Sequence, residues 1–141
     1  MLVNQLSAFI ENKRGRVHNF TEVLAQNGID LLTLSIADTR DYGILRAITR
    51  DNDRAAAALR AAGFTVSITQ LIGIELGDHP GSLANILSIF DSQDISIEYL
   101  YSYARTSGQT AIILFKVEDP QRALKILEAN GIVPIDKIPE R

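Results

Sequence analysis

The feature that most constrains this chain is an internal repeat, because a repeated pattern of apolar residues has to serve the same fold twice. Aligning the sequence with itself at an offset of 66 residues, and of 68 further along, brings identical residues together and keeps apolar positions in phase. Because the offset increases by two residues, the second copy has a longer turn at residues 104–110, opposite residues 37–43 in the first copy. We therefore predict two domains, 1–70 and 71–141. The identical pairs are Gly15–Gly81, Asn19–Asn85, Ile29–Ile95, Leu34–Leu100, Ile44–Ile112, Asp51–Asp119, Arg54–Arg122, Ala55–Ala123, Leu59–Leu127 and Gly63–Gly131.

In each copy, segments with the hydrophobic period of a strand and segments with that of a helix follow in the same order. Alternation at Leu6, Ala8 and Ile10 predicts a half-buried strand, and the helical spacing that follows predicts a helix. A second helix is predicted to begin in each copy at an aspartate that can cap it. In the first copy this is Asp51 or Asp53, and in the second copy it is Asp119, which is followed by Pro120. The order strand, helix, strand, strand, helix, strand indicates α+β architecture: two tandem ferredoxin-like βαββαβ units, with antiparallel sheets and helices on one face. The predicted strands are 6–10, 29–37, 44–49 and 64–69, then 72–76, 95–104, 111–117 and 132–138.

Charge and composition exclude several classes of function. The net charge is −3, and the second half carries 6 Lys and Arg against 10 Asp and Glu, which disfavours nucleic acid as a partner. We therefore interpret the stripe Tyr99, Tyr101 and Tyr103 as packing at a sheet or dimer contact rather than as a base-stacking surface. The chain has no cysteine, which excludes disulfides, thiolate metal sites and cysteine nucleophiles. Neither a signal-peptide layout nor an apolar run of membrane-spanning length is present, so we expect a cytoplasmic protein with no membrane partner.

The sequence gives little support for catalysis. Neither His18 nor His79 has an obvious serine partner in the sequence, and Asp78 beside His79 is the only acid–base combination that stands out. His18 lies on a predicted helix, and we expect no metal site there. We predict a protein that is not an enzyme and that needs no cofactor or metal.

One segment, "DHPGSLANILSIFDSQDISI", resembles the signature of the ACT domain: an acidic or amide residue, Pro-Gly, a leucine, an amphipathic helix and an isoleucine-rich strand. The first copy, "NKRGRVHNFTEVLAQNGIDLLTLS", keeps Gly15 but has Arg14 where the pattern has Pro80. The resemblance covers essentially the whole chain, which is similar to free-standing tandem ACT proteins. It implies a regulatory protein that binds a free amino acid.

The physical properties of such a loop agree with that implication. The first turn of a helix leaves backbone N–H groups unpaired and carries a partial positive charge, so a carboxylate fits there. Gly81 would allow close approach of a ligand and a backbone conformation denied to other residues. Pro80 would stiffen the loop, and Asp78 could hold an ammonium group.

Carried over position by position, the resemblance implies ligand pockets at domain–domain contacts, each formed by the loop between the first strand and first helix of one domain and the second strand of another. It places loop polar residues at Asn12 and Asp78 and strand polar residues at Asp30 and Ser96. The full set of candidate ligand-binding residues is Asn12, Lys13, Gly15, Arg16, Asp30, Asp78, His79, Gly81, Ser82, Leu83 and Ser96.

Plainer interpretations stand beside this one. Asp78 or Ser82 could simply cap a helix, His79 could be a solvated loop residue, and the basic residues of the first loop could form a solvated turn. At the level of the whole protein, the alternative is a structural module that regulates a partner enzyme without binding a ligand. We also expect a homodimer, because two small units leave sheet edges to cover, and a metabolic enzyme acting in trans is a candidate partner.

Overall fold

The computed structural model describes residues 2–38, 41–104 and 110–139. The predicted site of the longer turn, residues 104–110, lies largely outside the described residues. The chain divides into two compact units, one of Asn4–Thr69 and one of Gln70–Arg141 together with Met1–Val3, which we call the N-terminal and C-terminal units. Among the described residues, no helix is long and apolar enough to cross a membrane.

The order of helices and strands follows the prediction from the repeat, except at the junction of the two copies and at the last predicted strand. The first six elements are β1 (Val3–Glu11), α1 (Arg16–Gln26), β2 (Leu31–Asp38), β3 (Tyr42–Thr49), α2 (Asn52–Ala61) and β4 (Thr65–Gly77). They are followed by α3 (Ser82–Ser92), β5 (Ile97–Ala104), β6 (Thr110–Val117) and α4 (Pro120–Ala129).

Strand order within each unit follows the ferredoxin-like pattern. In the N-terminal unit the order is β2-β3-β1-β4, and in the C-terminal unit it is β4-β6-β5. The pairs β1–β3, β2–β3, β4–β6 and β5–β6 are antiparallel. The register shifts between Leu31 and Thr33 in β2, and between Ile97 and Tyr99 in β5. Since these positions are 66 residues apart, the irregularity itself is repeated.

Two differences from the predicted strands concern β4 and the C-terminal segment. Two separate strands were predicted around residues 64–69 and 72–76, but β4 is one continuous strand of 13 residues, because no turn-forming residue separates them. The predicted strand at residues 132–138 is wrong. It is reduced to a single bridge between Gly73 and Ile135, since Pro134 lacks the N–H that a ladder needs.

Each unit has its own hydrophobic core between sheet and helices. Each core contains an edge-to-face pair of phenylalanines, although the two pairs occupy different positions of the repeat. The ring centroids of Phe20 and Phe64 are 5.6 Å apart at 87°, and those of Phe90 and Phe115 are 5.6 Å apart at 83°. Edge-to-face geometry is favourable for aromatic rings, so these pairs help to hold α1 against the segment before β4 and α3 against β6.

The second helix of each unit is capped as predicted, and the choice between Asp51 and Asp53 falls on Asp51. The Asp51 carboxylate accepts a hydrogen bond from the Arg54 N–H at 3.1 Å, and Asp119 accepts one from the Arg122 N–H at 3.1 Å. The arginine side chains then donate to carbonyls at the end of the preceding helix, Arg54 to Asn27 and Arg122 to Gln93. These contacts tie the two helices of each unit together.

The tyrosine stripe lies on one face of β5 and is half-buried. Tyr101 is in register with Leu114 and Tyr103 with Ile112, and both partners on β6 are fully buried. This environment agrees with a packing role for the stripe.

Candidate functional site

The two loops that lead into the first helix of each unit, residues 11–16 and 77–82, follow the same backbone course. In each, the third residue donates its N–H to the carbonyl of the first, at 2.7 Å in the N-terminal loop and 3.0 Å in the C-terminal loop. The last residue then donates to the carbonyl of the third at 3.3 Å in both loops. The four donor–acceptor pairs are Lys13–Glu11, Arg16–Lys13, His79–Gly77 and Ser82–His79.

A glycine in the left-handed conformation precedes each helix. Gly15 has φ 89° and Gly81 has φ 93°, values that side-chain-bearing residues rarely adopt. No heavy atom within 4 Å would meet a Cβ added at either position, apart from the adjoining residues. The backbone angle, and not crowding by the protein, therefore requires glycine here, and the space above each glycine is open.

The helix starts themselves carry no side-chain cap. The N-cap residues are Gly15 and Gly81, and neither α1 nor α3 has a side-chain cap hydrogen bond. The alternative that Asp78 or Ser82 caps α3 is therefore wrong. In the described part of the chain the N–H groups of Leu83 and Ala84 have no partner, as expected for an uncapped first turn.

In the C-terminal loop, the ring of His79 folds back onto its own loop. Its nitrogens lie 3.1 Å (Nδ1) and 3.0 Å (Nε2) from the Ser82 Oγ, and Nδ1 lies 3.1 Å from the Pro80 carbonyl oxygen. His79 is exposed, as its interpretation as a solvated loop residue expects. The expectation that it has no serine partner is wrong, because its ring contacts Ser82. A tight turn can bring side chains three residues apart into contact, and their spacing in the sequence does not by itself indicate this.

Gly77 makes room for this ring. A Cβ at Gly77 would lie 3.0 Å from the His79 Cδ2 and 3.2 Å from its Nε2. The corresponding residue of the first repeat is Glu11, so the ring position is specific to the C-terminal loop.

The N-terminal loop is more basic. The Lys13 Nζ pairs with the Glu11 Oε2 at 3.0 Å, and both side chains are exposed. The hydrogen bond and charge of Lys13, with a smaller contribution from Arg16, lower the pKa of Glu11 from its ordinary value.

Arg16, at the start of α1, packs on the core rather than extending into solvent. Its guanidinium carbon lies 4.5 Å from the centroid of the Phe64 ring, a cation–π geometry. Its Nε is buried and makes no hydrogen bond with any described residue. The corresponding position in the C-terminal loop is Ser82.

The remaining candidates occupy different surroundings. The N–H of Asn12 donates to the Asp41 carbonyl at 3.1 Å. Asp30 precedes β2, and its carboxylate accepts from the Arg50 Nε at 2.9 Å, so it is already engaged by a cation. Asp78 and Ser96 are exposed, and Leu83 packs against the C-terminal core.

The loop candidates are therefore brought together within each unit, around the start of α1 or α3. Asp30 and Ser96 lie apart from them in the sequence, each just before a second strand, and a shared pocket with a loop of another unit stays a prediction. The His79–Ser82 contact and the Arg16–Phe64 contact were missed from the sequence. A signal for the first was available in Gly77, two residues before the histidine.

This arrangement is suited to binding a small zwitterion. Unpaired N–H groups at the start of α3 can donate to a carboxylate, and the exposed carboxylate of Asp78 can accept from an ammonium group. The Ser82–His79 pair resembles part of a catalytic constellation, but within the described residues no carboxylate hydrogen-bonds to His79.

Comparison with known proteins gives a family match over nearly the whole chain. A family model described as "ACT domain pair" matches residues 1–137. A search of curated proteins finds no match. The solved structure of protein BT0572 from Bacteroides thetaiotaomicron is 37% identical, with a TM-score of 0.89, and the alignment covers 96% of this chain and 92% of that one.

Two structures of the regulatory subunit of aspartate kinase share the fold at low identity. The subunit from Thermus thermophilus, in a ligand-free form, is 16% identical with a TM-score of 0.61, covering 89% of this chain and 91% of that one. The subunit from Thermus flavus is 16% identical with a TM-score of 0.60, covering 93% and 94%. The family model confirms the resemblance identified in the sequence.

Proposed function

Because this chain belongs to the ACT domain pair family, we propose that it is a non-catalytic regulator that binds a free amino acid through the loops preceding α1 and α3. The observation that carries the proposal is the pair of open helix starts, each with a left-handed glycine and no side-chain cap. An uncapped start is a ready site for a carboxylate, because both the N–H groups and the helix dipole favour negative charge.

The C-terminal loop has the better chemistry for an amino acid. Asp78 supplies a carboxylate for the ammonium group, while the first turn of α3 supplies donors for the carboxyl group. In the N-terminal loop the acidic group, Glu11, is engaged by Lys13, and the neighbouring charges are basic. Under the proposal, the remaining walls of each pocket, including Asp30 or Ser96, come from a second strand of another ACT unit, in this chain or in a second copy.

A regulatory role in trans is part of the same proposal. The regulatory subunits of aspartate kinase, which share the fold, are separate chains that are named for controlling an enzyme. By analogy, this protein would report the level of an amino acid to a metabolic enzyme, as a cytoplasmic homodimer. The rival function is a structural module that assembles with its partner and binds no ligand.

A thermal-shift screen of the twenty common L-amino acids, one at a time at millimolar concentration, separates these functions. A ligand present at about 100 times its dissociation constant stabilises the fold by roughly 2.7 kcal/mol, which is easily measured in a domain of this size. The proposal expects a clear shift with one or a few amino acids. No shift with any of them would favour the structural module.

A further inference from the structure

Two asparagine–glycine pairs end helices of this chain in the same geometry. Asn27 is the C-cap of α1, with φ −96° and ψ 7°, and Asn130 is the C-cap of α4, with φ −98° and ψ 11°. The glycines that follow, Gly28 and Gly131, are in the left-handed conformation that commonly ends a helix, with φ of 65° and 72°. Both pairs are exposed and are followed by isoleucine, so they share their local sequence as well as their conformation.

An asparagine followed by glycine is prone to spontaneous deamidation, because glycine has no Cβ to hinder attack by its backbone nitrogen. That nitrogen attacks the asparagine Cγ. The N–Cγ bond forms, the Cγ–Nδ2 bond breaks, and the amide group leaves as ammonia with the proton of the glycine N–H. Water then opens the resulting succinimide, adding its hydroxyl group to one carbonyl carbon and its proton to the nitrogen. The product is aspartate, or isoaspartate with a main chain that is one methylene longer.

Hydrogen bonds at both helix ends oppose this reaction in the folded chain. The Nδ2 of each asparagine donates at 2.8 Å to the carbonyl of the residue four positions earlier, and the N–H of each glycine donates at 3.0 Å to a carbonyl of the last turn. The acceptors are Val23 and Ala25 in α1, and Ile126 and Glu128 in α4. Ring closure breaks both bonds and turns ψ of the asparagine well away from its folded value. The reaction therefore requires local opening of the helix end.

One contact distinguishes the two helix ends. The Arg54 Nη2 donates to the Asn27 carbonyl oxygen at 2.7 Å, whereas no residue in the described part of the chain donates to the Asn130 carbonyl oxygen. Rotation of ψ at Asn27 carries this oxygen away from the guanidinium, so the reactive conformation loses a hydrogen bond to a charged group. Such bonds are stronger than those between neutral groups. The end of α1 therefore opens less often than the end of α4.

We infer that Asn130 is a site of spontaneous modification in the folded protein, and that Arg54 protects Asn27 from the same reaction. The inference is independent of ligand binding, because neither pair belongs to the loops that precede α1 and α3. The reaction needs only water, to which both asparagines are exposed. Two helix ends of matched sequence and backbone thus differ in chemical lifetime.

Modification of Asn130 loosens the segment that follows α4. It replaces the N–H donor to the Ile126 carbonyl with a carboxylate at the negative end of the helix dipole. An isoaspartate also lengthens the main chain before Ile132. The N–H of Ile132 donates to the Leu127 carbonyl at 2.9 Å, and its side chain packs against the C-terminal core. Modified chains should therefore unfold at a lower urea concentration than unmodified ones.

Peptide mass spectrometry of the full-length protein, incubated at mildly alkaline pH, tests the inference. Trypsin releases the two pairs in separate peptides, and conversion of an amide into an acid changes the peptide mass. In the folded protein we expect Asn130 to deamidate about tenfold faster than Asn27. In urea, where only the shared local sequence acts, the two rates should be similar. Equal rates in the folded protein, a faster reaction at Asn27, or no reaction at Asn130 while the unfolded chain reacts, would overturn the inference.

Two variants assign the difference to its cause. Arg54→Met removes the protecting donor, so Asn27 should then react nearly as fast as Asn130. Arg122→Met is the matched control, because the Arg122 side chain donates to the Gln93 carbonyl and to neither pair, and it should leave both rates unchanged. A slow Asn27 in folded Arg54→Met, or equal acceleration in Arg122→Met, would overturn the protective role of Arg54. Urea unfolding of the modified protein, separated by charge, measures the loosening, and an unchanged midpoint would contradict it.

Discussion

Gly81 is the residue at which the formation of the turn can be separated from ligand binding. Its φ of 93° strains any other residue, yet no protein atom would meet a new Cβ. Gly81→Ala should therefore lower the free energy of unfolding by about 1 kcal/mol through the backbone alone. If a ligand approaches the open side of this glycine, its affinity should fall far more than the lost folded population explains. Urea unfolding and calorimetry on the folded variant measure the two effects.

The same loop and its counterpart supply the controls. Gly15→Ala has nearly the same φ and equally open space, so it should cost similar stability without affecting a ligand held at α3. Asp78→Asn should leave stability nearly unchanged, because Asp78 does not cap the helix, and should weaken binding by removing the charge that faces the ammonium group. Unchanged affinity in both Gly81→Ala and Asp78→Asn would place any binding site elsewhere, with residues 12–15 as the next candidate.

For single residues, the sequence predicted backbone conformation better than it predicted the positions of side chains. A left-handed glycine before α3 follows from the loop pattern, because few other residues tolerate that angle. The fold of the His79 ring onto Ser82 depends on a missing Cβ at Gly77 and on the exact path of a six-residue turn. The packing of Arg16 on Phe64 joins residues 48 positions apart, and no local pattern indicates it.

Among the elements, the C-terminal segment after α4 shows most clearly how single residues replace a regular strand. Ile135 donates its N–H to the Gly73 carbonyl at 2.8 Å, and its side chain lies directly over Gly73. A Cβ at Gly73 would be 2.6 Å from the Ile135 Cγ1 and 3.3 Å from the Leu114 Cδ2. The absence of a side chain at Gly73 is therefore what lets this segment pack on β4.

A double-mutant cycle tests this dependence. Gly73→Ala should destabilise the protein by about 1–3 kcal/mol, because overpacking pushes Ile135 and its backbone bond away from the strand. In an Ile135→Ala background the same substitution should cost much less, giving a strong coupling between the two positions in urea unfolding. Val133→Ala, at a side chain 77% exposed, is the control and should change little. Additive effects of Gly73→Ala and Ile135→Ala would contradict the contact.

Elements with local signals were predictable, and those that depend on distant partners were not. The caps at Asp51 and Asp119 follow from an aspartate before a helical period, and the structure places both. The segment at residues 132–138 has the apolar composition of a strand, but Pro134 removes one ladder donor and leaves a single bridge. The continuity of β4 across residues 70 and 71 is not indicated by the period of either copy taken alone.

For the whole molecule, the repeat carried most of the predictive information. The match between the two copies predicts the fold class more firmly than the pattern of any single helix or strand does. The register shifts at corresponding positions of β2 and β5 show how closely the two copies agree in structure. The ligand could not be predicted in this way. Corresponding loop positions carry Lys13 and His79, or Arg16 and Ser82, so the copies share a backbone but differ in chemistry.

Assembly is the remaining prediction for the whole molecule, and we expect a homodimer. β2 is the outer strand of the N-terminal unit, and its side chains Leu34 and Ile36 are 38% and 46% exposed. On the opposite face of the same unit's sheet, the stacked rings of Phe9 and Tyr42 are 49% and 37% exposed. An edge strand without lysine or proline and a pair of exposed aromatic rings are each the kind of surface that proteins usually cover. Light scattering at micromolar concentration should give about 31 kDa, twice the 15.5 kDa of one chain, and a stable value near 15.5 kDa would contradict the prediction.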